Sequence, residues 1–249
     1  EVCMKGPLLR AETRLGCVLF GAPFSLASAR QALATGTTFT LEAGEEIHIG
    51  GTGEGMRAYL CVRGALLAPA ILGSFSGLEV IKAGAILPCG ASSLRRRFFP
   101  PSVLRELGQG RLNLRVLPGL QADWFEELSF YDQEFMVSPA LNRMGVRLEG
   151  RPLQVPKREL VSEPVCPGAV QVTRDGQCVM LGVDGQTIGG YPKIAQVIQA
   201  DLDHLGQLRP GAAIRFRKVA LAEAESVFRE RQAFIHEWSM RARLSLDCW

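Results

Sequence analysis

The sequence predicts a mainly β protein with a few helices, arranged as two β-rich domains, and three observations carry that expectation. Short apolar runs at residues 18–20, 39–41, 47–49, 59–62 and 86–87 are separated by glycine and proline, a spacing that suits short strands. A pattern seen in LEAGEEIHI from Leu41 returns as IKAGAILP from Ile81 and LRPGAAIRF from Leu208. Each reads as a glycine turn entering an apolar strand, a feature common in closed β-barrels. Finally, Arg95, Arg96 and Arg97 followed by Phe98, Phe99, Pro100 and Pro101 mark a composition shift, read here as a solvated, proline-stiffened interdomain connection. With 249 residues and 47% hydrophobic content, the chain can bury a substantial core. The expected division is residues 1–100, residues 111–217 and a helical tail over 218–249.

Composition excludes several function classes. A net charge of +3 with 21% charged residues gives no case for nucleic acid or an anionic membrane as partner. Seven scattered cysteines, without a CxxC pair, point to reduced thiols in a cytoplasmic protein. The histidines His48, His204 and His236 lack metal-ligand spacing, so no protein-bound metal is expected. No apolar run approaches the ~18 residues that span a bilayer, and no secretory leader is visible.

Taken in order, the glycine-rich stretch Gly50, Gly51, Thr52, Gly53, Glu54, Gly55 fails as a phosphate cradle. Met56 and Arg57 follow where a Walker loop needs lysine and a hydroxyl residue, so a hairpin connection is expected instead. From Leu112, LNLRVLPG alternates as a strand. A short helix is expected over residues 123–128, with Asp123 as cap. SPALNRMG then offers Ser138, Asn142 and Arg143; Asn142 supplies donor and acceptor together, and Arg143 a planar fork suited to a carboxylate or phosphate, or to a structural ion pair. The Asp175–Gly176 pair predicts a hairpin between strands at 170–172 and 178–183. Ile214 and Phe216 alternate with arginines in a closing strand, and residues 220–244 read as a helix.

The stretch DGQTIGGYPKIAQVIQADLDHLGQLRPG, residues 184–211, is the centre of the functional reading. Pro192 after Gly189 and Gly190 predicts a helix start, with Ile194, Val197, Ile198, Leu202 and Leu205 on one face. Asp201 falls inside that apolar stripe and therefore requires a partner. At the expected helix N-terminus, Gln186, Thr187, Tyr191 and Lys193 could hold a carboxylate, a phosphate or a polarised carbonyl. The alternative for the same residues is a tight strand-to-helix connection.

QTIGGYPKIA from Gln186, followed by Asp201, Leu202, Gln207, Pro210 and Gly211, resembles the signature of the family of the 5-oxoprolinase C subunit. That family is also called allophanate hydrolase subunit 2 or the biotin-dependent carboxyltransferase family, and it includes the antagonist of the Kip kinase inhibitor. RVLPGLQADWF, VSPALNRMGVRLEG, SEPVCPGAVQV, GPLLRAETRLGCVLFGAP and GEGMRAYLCVRGAL extend the resemblance over nearly the whole chain. It implies a cyclophilin-like β-barrel that acts with a homologous B subunit, together with an A subunit, on a small-molecule amide: an ATP-dependent hydrolase converting 5-oxoproline to glutamate. Alternatives are a biotin-dependent carboxyltransferase or allophanate hydrolase component acting on urea-like amides, and a regulatory protein that binds a Kip-type kinase inhibitor. Under this resemblance Arg143, Lys193 and Tyr191 are the candidate catalytic residues. Asn142, Gln186, Thr187, Gly189, Gly190 and Arg57 are candidate substrate ligands, and Asp201 is a supporting group. Two departures stand out: a glycine-rich VQD-type stretch expected before residue 1 is missing, as in a fragment or truncated homologue, and in the shortened GSFSG loop Phe75 replaces an arginine.

Overall fold

The computed structural model describes residues 1–77, 79–108 and 112–247. Cys248, Leu78 in the shortened loop, and the expected boundary at residue 111 lie outside the described residues. The chain is mainly β and separates into two compact units, Glu1–Gln109 and Gly110–Trp249.

In the first unit the strands are β1 (Val2–Cys3), β2 (Leu8–Arg10), β3 (Leu15–Gly21), β4 (Phe24–Ala27), β5 (Phe39–Leu41), β6 (Glu46–Thr52) and β7 (Arg57–Val62). They form two sheets, ordered β1-β7-β3-β5 and β2-β6-β4. Period-2 alternation buries Ile47 and Ile49 of β6 while Glu46 and His48 face water, and the buried set meets Leu19, Phe24 and Phe39 in one core. Gly50, Gly51 and Thr52 are part of β6 and strand β7 follows, so no phosphate cradle forms there; nor is the segment the expected hairpin connection, because β6 pairs with β2 and β4 while β7 pairs with β1 and β3. The glycine of the recurring turn pattern has positive φ in all three copies, +82° at Gly44, +80° at Gly84 and +78° at Gly211. Only the copies at Gly44 and Gly211 deliver a strand; residues 86–87 form none.

Arg95 and Arg96 are exposed, as expected of a solvated run, but the segment is tied to the first unit rather than free. Leu94 and Arg97 donate their backbone N–H groups to Thr40 Oγ1 (2.9 Å) and Thr38 Oγ1 (2.7 Å), which pins the segment beside β5. Pro101 then opens helix α1 (Pro101–Gly108), where its missing N–H costs nothing.

The second unit contains β8 (Asn113–Pro118), β9 (Phe135–Leu141), β10 (Gly145–Glu149), β11 (Glu163–Pro164), β12 (Ala169–Val172), β13 (Cys178–Leu181), β14 (Ile188–Gly189), β15 (Lys193–Val197) and β16 (Ala213–Lys218). Seven of them close a barrel in the order β10-β13-β12-β15-β8-β16-β9, with β8 and β16 parallel; β11 and β14 make a separate two-stranded ribbon. Phe130 stacks on Phe216 at 4.8 Å between ring centroids and also meets Phe135, filling the barrel together with Leu114, Val170, Met180 and Ile214. The Asp-Gly hairpin joins β12 to β13, and β16 is the expected closing strand.

The helix expected from Pro192 is absent. Residues 193–197 are strand β15, paired with β8 and β12, and the helical part shrinks to a 3-10 turn (Gln199–Asp201) and one turn of α3 (Leu202–Leu205). Because β15 is buried on both faces, its apolar run lacks the alternation that marks a half-exposed strand. The helix expected over 123–128 is likewise split into a 3-10 turn (Ala122–Trp124) and α2 (Glu127–Tyr131), with no side-chain cap at either. Helix α4 (Leu221–Asp247) matches the expected tail and docks Ala224 and Val227 against Ile198, Ala200 and Val219. No helix among the described residues is long and apolar enough to cross a membrane.

Removing Phe130 should open a cavity that the rigid barrel cannot collapse. The Phe130→Ala variant is expected to lose about 3–5 kcal/mol in urea unfolding followed by circular dichroism. Phe75→Ala, at a side chain 72% exposed, should change stability by no more than about 0.5 kcal/mol.

Candidate functional site

The site is built where β12 and β15 run side by side beneath the β11–β14 ribbon. Gln171 and Lys193 are direct cross-strand partners, so their side chains leave neighbouring positions. Both are buried. A buried ammonium needs a counter-charge, and Lys193 Nζ donates to Glu163 Oε1, on the ribbon. The Glu163 side chain is 29% exposed against 7% for Lys193, which puts the pair at the edge of the barrel with the carboxylate on the solvent side.

Gln121, just after β8, holds this pair in place. Its backbone N–H donates to the Lys193 carbonyl (3.1 Å), its Oε1 accepts the Lys193 N–H (3.0 Å), and its Nε2 donates to Glu163 Oε1 (2.8 Å). That commitment explains why Gln121, at the start of the 3-10 turn, provides no side-chain cap. The close approach of the two segments depends on Gly119: a Cβ there would lie 2.2 Å from the Lys193 carbonyl oxygen. The hydrogen bond from Lys193, then that from Gln121, holds the Glu163 carboxyl below its usual range.

A carboxamide network continues from Lys193. Gln171 is 1% exposed; its Oε1 accepts a long hydrogen bond from Gln186 Nε2 (3.4 Å), while its Nε2 is buried without a hydrogen-bond partner among the described residues. This amide nitrogen points at Gly189, where a Cβ would come within 2.6 Å of it. Gly189 in turn is the cross-strand partner of Glu163. Lys193, Gln121, Gln171, Gln186, Gly189 and Glu163 therefore form one polar cluster.

The remaining expected residues are placed differently. Arg143 pairs with Asp184, whose carboxyl is held below its usual range mainly by the Arg143 hydrogen bond. Asn142 Oδ1 accepts the N–H groups of Met144 (2.8 Å) and Gly145 (3.2 Å), so its carbonyl shapes the β9–β10 turn. Tyr191 is 41% exposed and its hydroxyl makes no hydrogen bond among the described residues. Thr187 contributes its carbonyl to the Val165 N–H (2.9 Å), and Gly190 is exposed. Arg57 belongs to the first unit, where it pairs with Glu1 (3.2 Å). With no helix starting at Pro192, no helix dipole acts at residues 189–190. Sequence reasoning did not single out Gln121, Glu163 and Gln171, although they lie in RVLPGLQADWF and SEPVCPGAVQV, segments that carry the family resemblance; Gln171 also stands out as a polar residue inside the apolar run AVQV.

Asp201 does have the partner its burial demands. It accepts the Arg115 backbone N–H (2.9 Å) and Nε (3.0 Å), and Nη2 completes a bidentate pair. Burial alone would raise its pKa; the side-chain and backbone hydrogen bonds and the charge of Arg115 outweigh it and hold the value below the ordinary 3.8. A folded-state value below the unfolded one means that Asp201 contributes its full stability above about pH 4 and loses it as pH falls through the lowered value. Urea titrations at stepped pH should show this acid loss in the native chain and a flatter acid limb in Asp201→Asn. At neutral pH that variant should be less stable by about 3–5 kcal/mol, since Arg115 loses its buried partner.

Comparison with known proteins fits this architecture. The family model described as carboxyltransferase domain, subdomain A and B, matches residues 1–218. The C subunit of 5-oxoprolinase from Escherichia coli is 35% identical over 224 residues, covering 84% of this chain and 71% of that protein. The protein of the same name from Haemophilus influenzae is 30% identical over 253 residues, covering 95% and 80%. The crystal structure of TTHA0988 superposes with a TM-score of 0.75 at 33% identity over 87% of this chain, which spans 44% of that one. The urea amidolyase of K. lactis shares the fold at a TM-score of 0.79 and 24% identity, over 93% of this chain and 16% of that one. From its β-barrel core to its matched relatives, the chain belongs to the family of the carboxyltransferase domain, subdomains A and B, and resembles the C subunit of 5-oxoprolinase.

Proposed function

We propose that the chain is one subunit of an ATP-dependent 5-oxoprolinase that, with a homologous B subunit, together with an A subunit, hydrolyses 5-oxoproline to glutamate in the cytoplasm. The observation that carries this reading is the cluster of one ammonium and three carboxamides about Lys193, in a chain 35% identical to a protein named as the C subunit of 5-oxoprolinase. A lactam presents one carbonyl acceptor and one N–H donor in a plane. The carboxamide of Gln186, the exposed one of the three, can match both, because it supplies a donor and an acceptor with fixed geometry. Lys193 supplies the positive charge that an acidic substrate requires.

Hydrolysis adds water across the lactam: the C–N bond breaks, the carbonyl carbon becomes a carboxylate, and the nitrogen leaves as an amine. Negative charge grows on the carbonyl oxygen as water adds. The loop 184–191 links the groups that would meet it, carrying Asp184 with its partner Arg143, Gln186 on Gln171, and the exposed Tyr191. Arg143 is assigned to the growing charge and Tyr191 to a proton relay. Asn142, Thr187 and Gly190 complete the proposed substrate-facing set of the second unit, with Asp201 in support. The glycine segment of β6 is strand and does not form a nucleotide cradle, and ATP is assigned to the assembled complex. The family description favours a second reading, carboxyl transfer to a urea-like amide, in which biotin would supply the carboxyl group and its planar ureido ring would suit the same carboxamides.

Co-expression with the neighbouring subunits, followed by an assay of 5-oxoproline-dependent ATP hydrolysis, tests the proposal. Turnover should require this chain, and Lys193→Ala should lower kcat/KM about 10²–10³-fold. Full activity in a Lys193→Ala, Arg143→Ala double variant would remove both charges from the mechanism. A stable complex without turnover on 5-oxoproline would favour the second reading or a regulatory role.

A further inference from the structure

The Glu163 carboxylate sits where donors converge, and it reaches them from the ribbon, outside the barrel. Lys193 Nζ and Gln121 Nε2 both donate to the same oxygen, Oε1. A third donor, Gln171 Nε2, lies beside Gly189, the cross-strand partner of Glu163, and has no acceptor among the described residues. The donors are carried by the barrel or by the segment leaving β8, and Lys193 and Gln171 are buried. The acceptor is carried by a ribbon of two residues per strand outside the barrel and is partly exposed. Two donors from the barrel side on one partly exposed carboxylate of the ribbon, with a third donor left over, describe a carboxylate-binding site closed by a residue of the chain itself.

We infer that Lys193, Gln121 and Gln171 form the subsite for the carboxylate of the substrate, and that Glu163 is an internal carboxylate which that group displaces. The inference rests on the reading of 5-oxoproline as substrate and adds which end of it lies in the barrel. Exchange of one carboxylate for another keeps the buried ammonium paired throughout, which avoids the penalty of an isolated buried charge. A flat carboxylate with two oxygens can also accept from Gln171 Nε2 while keeping the bonds that Glu163 makes, satisfying the orphan donor. The lactam ring of a ligand held this way projects toward the ribbon, on the side where Glu163 is exposed.

Calorimetric binding of 5-oxoproline and of 2-pyrrolidinone, the same lactam without the carboxylate, to the full chain tests this. Glu163→Gln keeps the shape of the plug and removes its charge. That variant should bind 5-oxoproline at least about tenfold more tightly than the native chain, leave 2-pyrrolidinone unchanged, and lose the gain when Lys193→Met is added. Unchanged affinity for 5-oxoproline in a folded Glu163→Gln chain, or equal gain for 2-pyrrolidinone, would overturn the inference. Should Glu163→Gln fail to fold, Gln171→Leu provides the test: the affinity ratio of 5-oxoproline to 2-pyrrolidinone should fall about tenfold, and an unchanged ratio overturns the assignment. The two proposals fail separately. Propionate binding to Glu163→Gln without 5-oxoproline-dependent ATP hydrolysis by the complex would keep the subsite and reject the substrate. Turnover of 5-oxoproline with no carboxylate preference would do the reverse.

Discussion

The second unit depends on the buried pair between Arg115 of β8 and Asp201. Asp201 has no exposed side-chain surface, and it binds Arg115 through both the backbone N–H and the guanidinium. Its own N–H donates to the Ile198 carbonyl, and the Ile198 N–H donates to the Arg115 carbonyl (3.0 Å), so one carboxylate fixes the turn after β15 against β8. A pair of this kind contributes little net stability over an apolar substitute, but it makes one arrangement far cheaper than its neighbours, because every misregister leaves a buried charge unpaired. The register of β15 on β8 follows, and with it the position of Lys193 beside Gln121.

From that register the polar cluster follows by short steps. Gly119 lets the chain pass within contact of the Lys193 carbonyl, and Gln121 then holds Lys193 by both backbone groups. Lys193 is thus a side chain placed by its own main chain. On the neighbouring strand, Gln171 has no such tie to a fixed acceptor. The contrast suits a site in which charge must stay put while a carboxamide adapts to what binds.

The first unit carries its own core and a different kind of surface. The described residues between Ala65 and Gly90 are almost all exposed, joined by isolated bridges at Leu66 with Cys89 and Ile71 with Ser74, and they display Leu72, Phe75, Val80 and Ile86 to solvent. Packing accounts for the sheets beneath; it gives no account of these exposed side chains.

Much of the architecture is legible in sequence because it rests on local rules. The strands of LNLRVLPG and of Ile214 with Phe216, the Asp-Gly hairpin and the C-terminal helix all follow from period-2 or period-3.6 patterning and turn chemistry, which act over a few residues. The resemblance of QTIGGYPKIA to a known family is likewise present in the letters. Residues 192–205 read as one helix in sequence and fold otherwise, because an apolar run buried on both faces has no alternation, and Ile194, Val197, Ile198, Leu202 and Leu205 also satisfy helical spacing. The position of Asp201 in that run demands a partner, yet only the fold identifies it as Arg115, 86 residues earlier. The same holds for the candidate site. Lys193 is visible as a charge near glycines, but Gln121 and Glu163 lie 72 and 30 residues away from it and meet it only because the barrel sets β15 beside β8 and beneath the ribbon. Local chemistry thus determined most of the strands and turns of this protein, while the strand order of the closed barrel and the pairing of the ribbon beside it decided which carboxylate and which carboxamides surround Lys193.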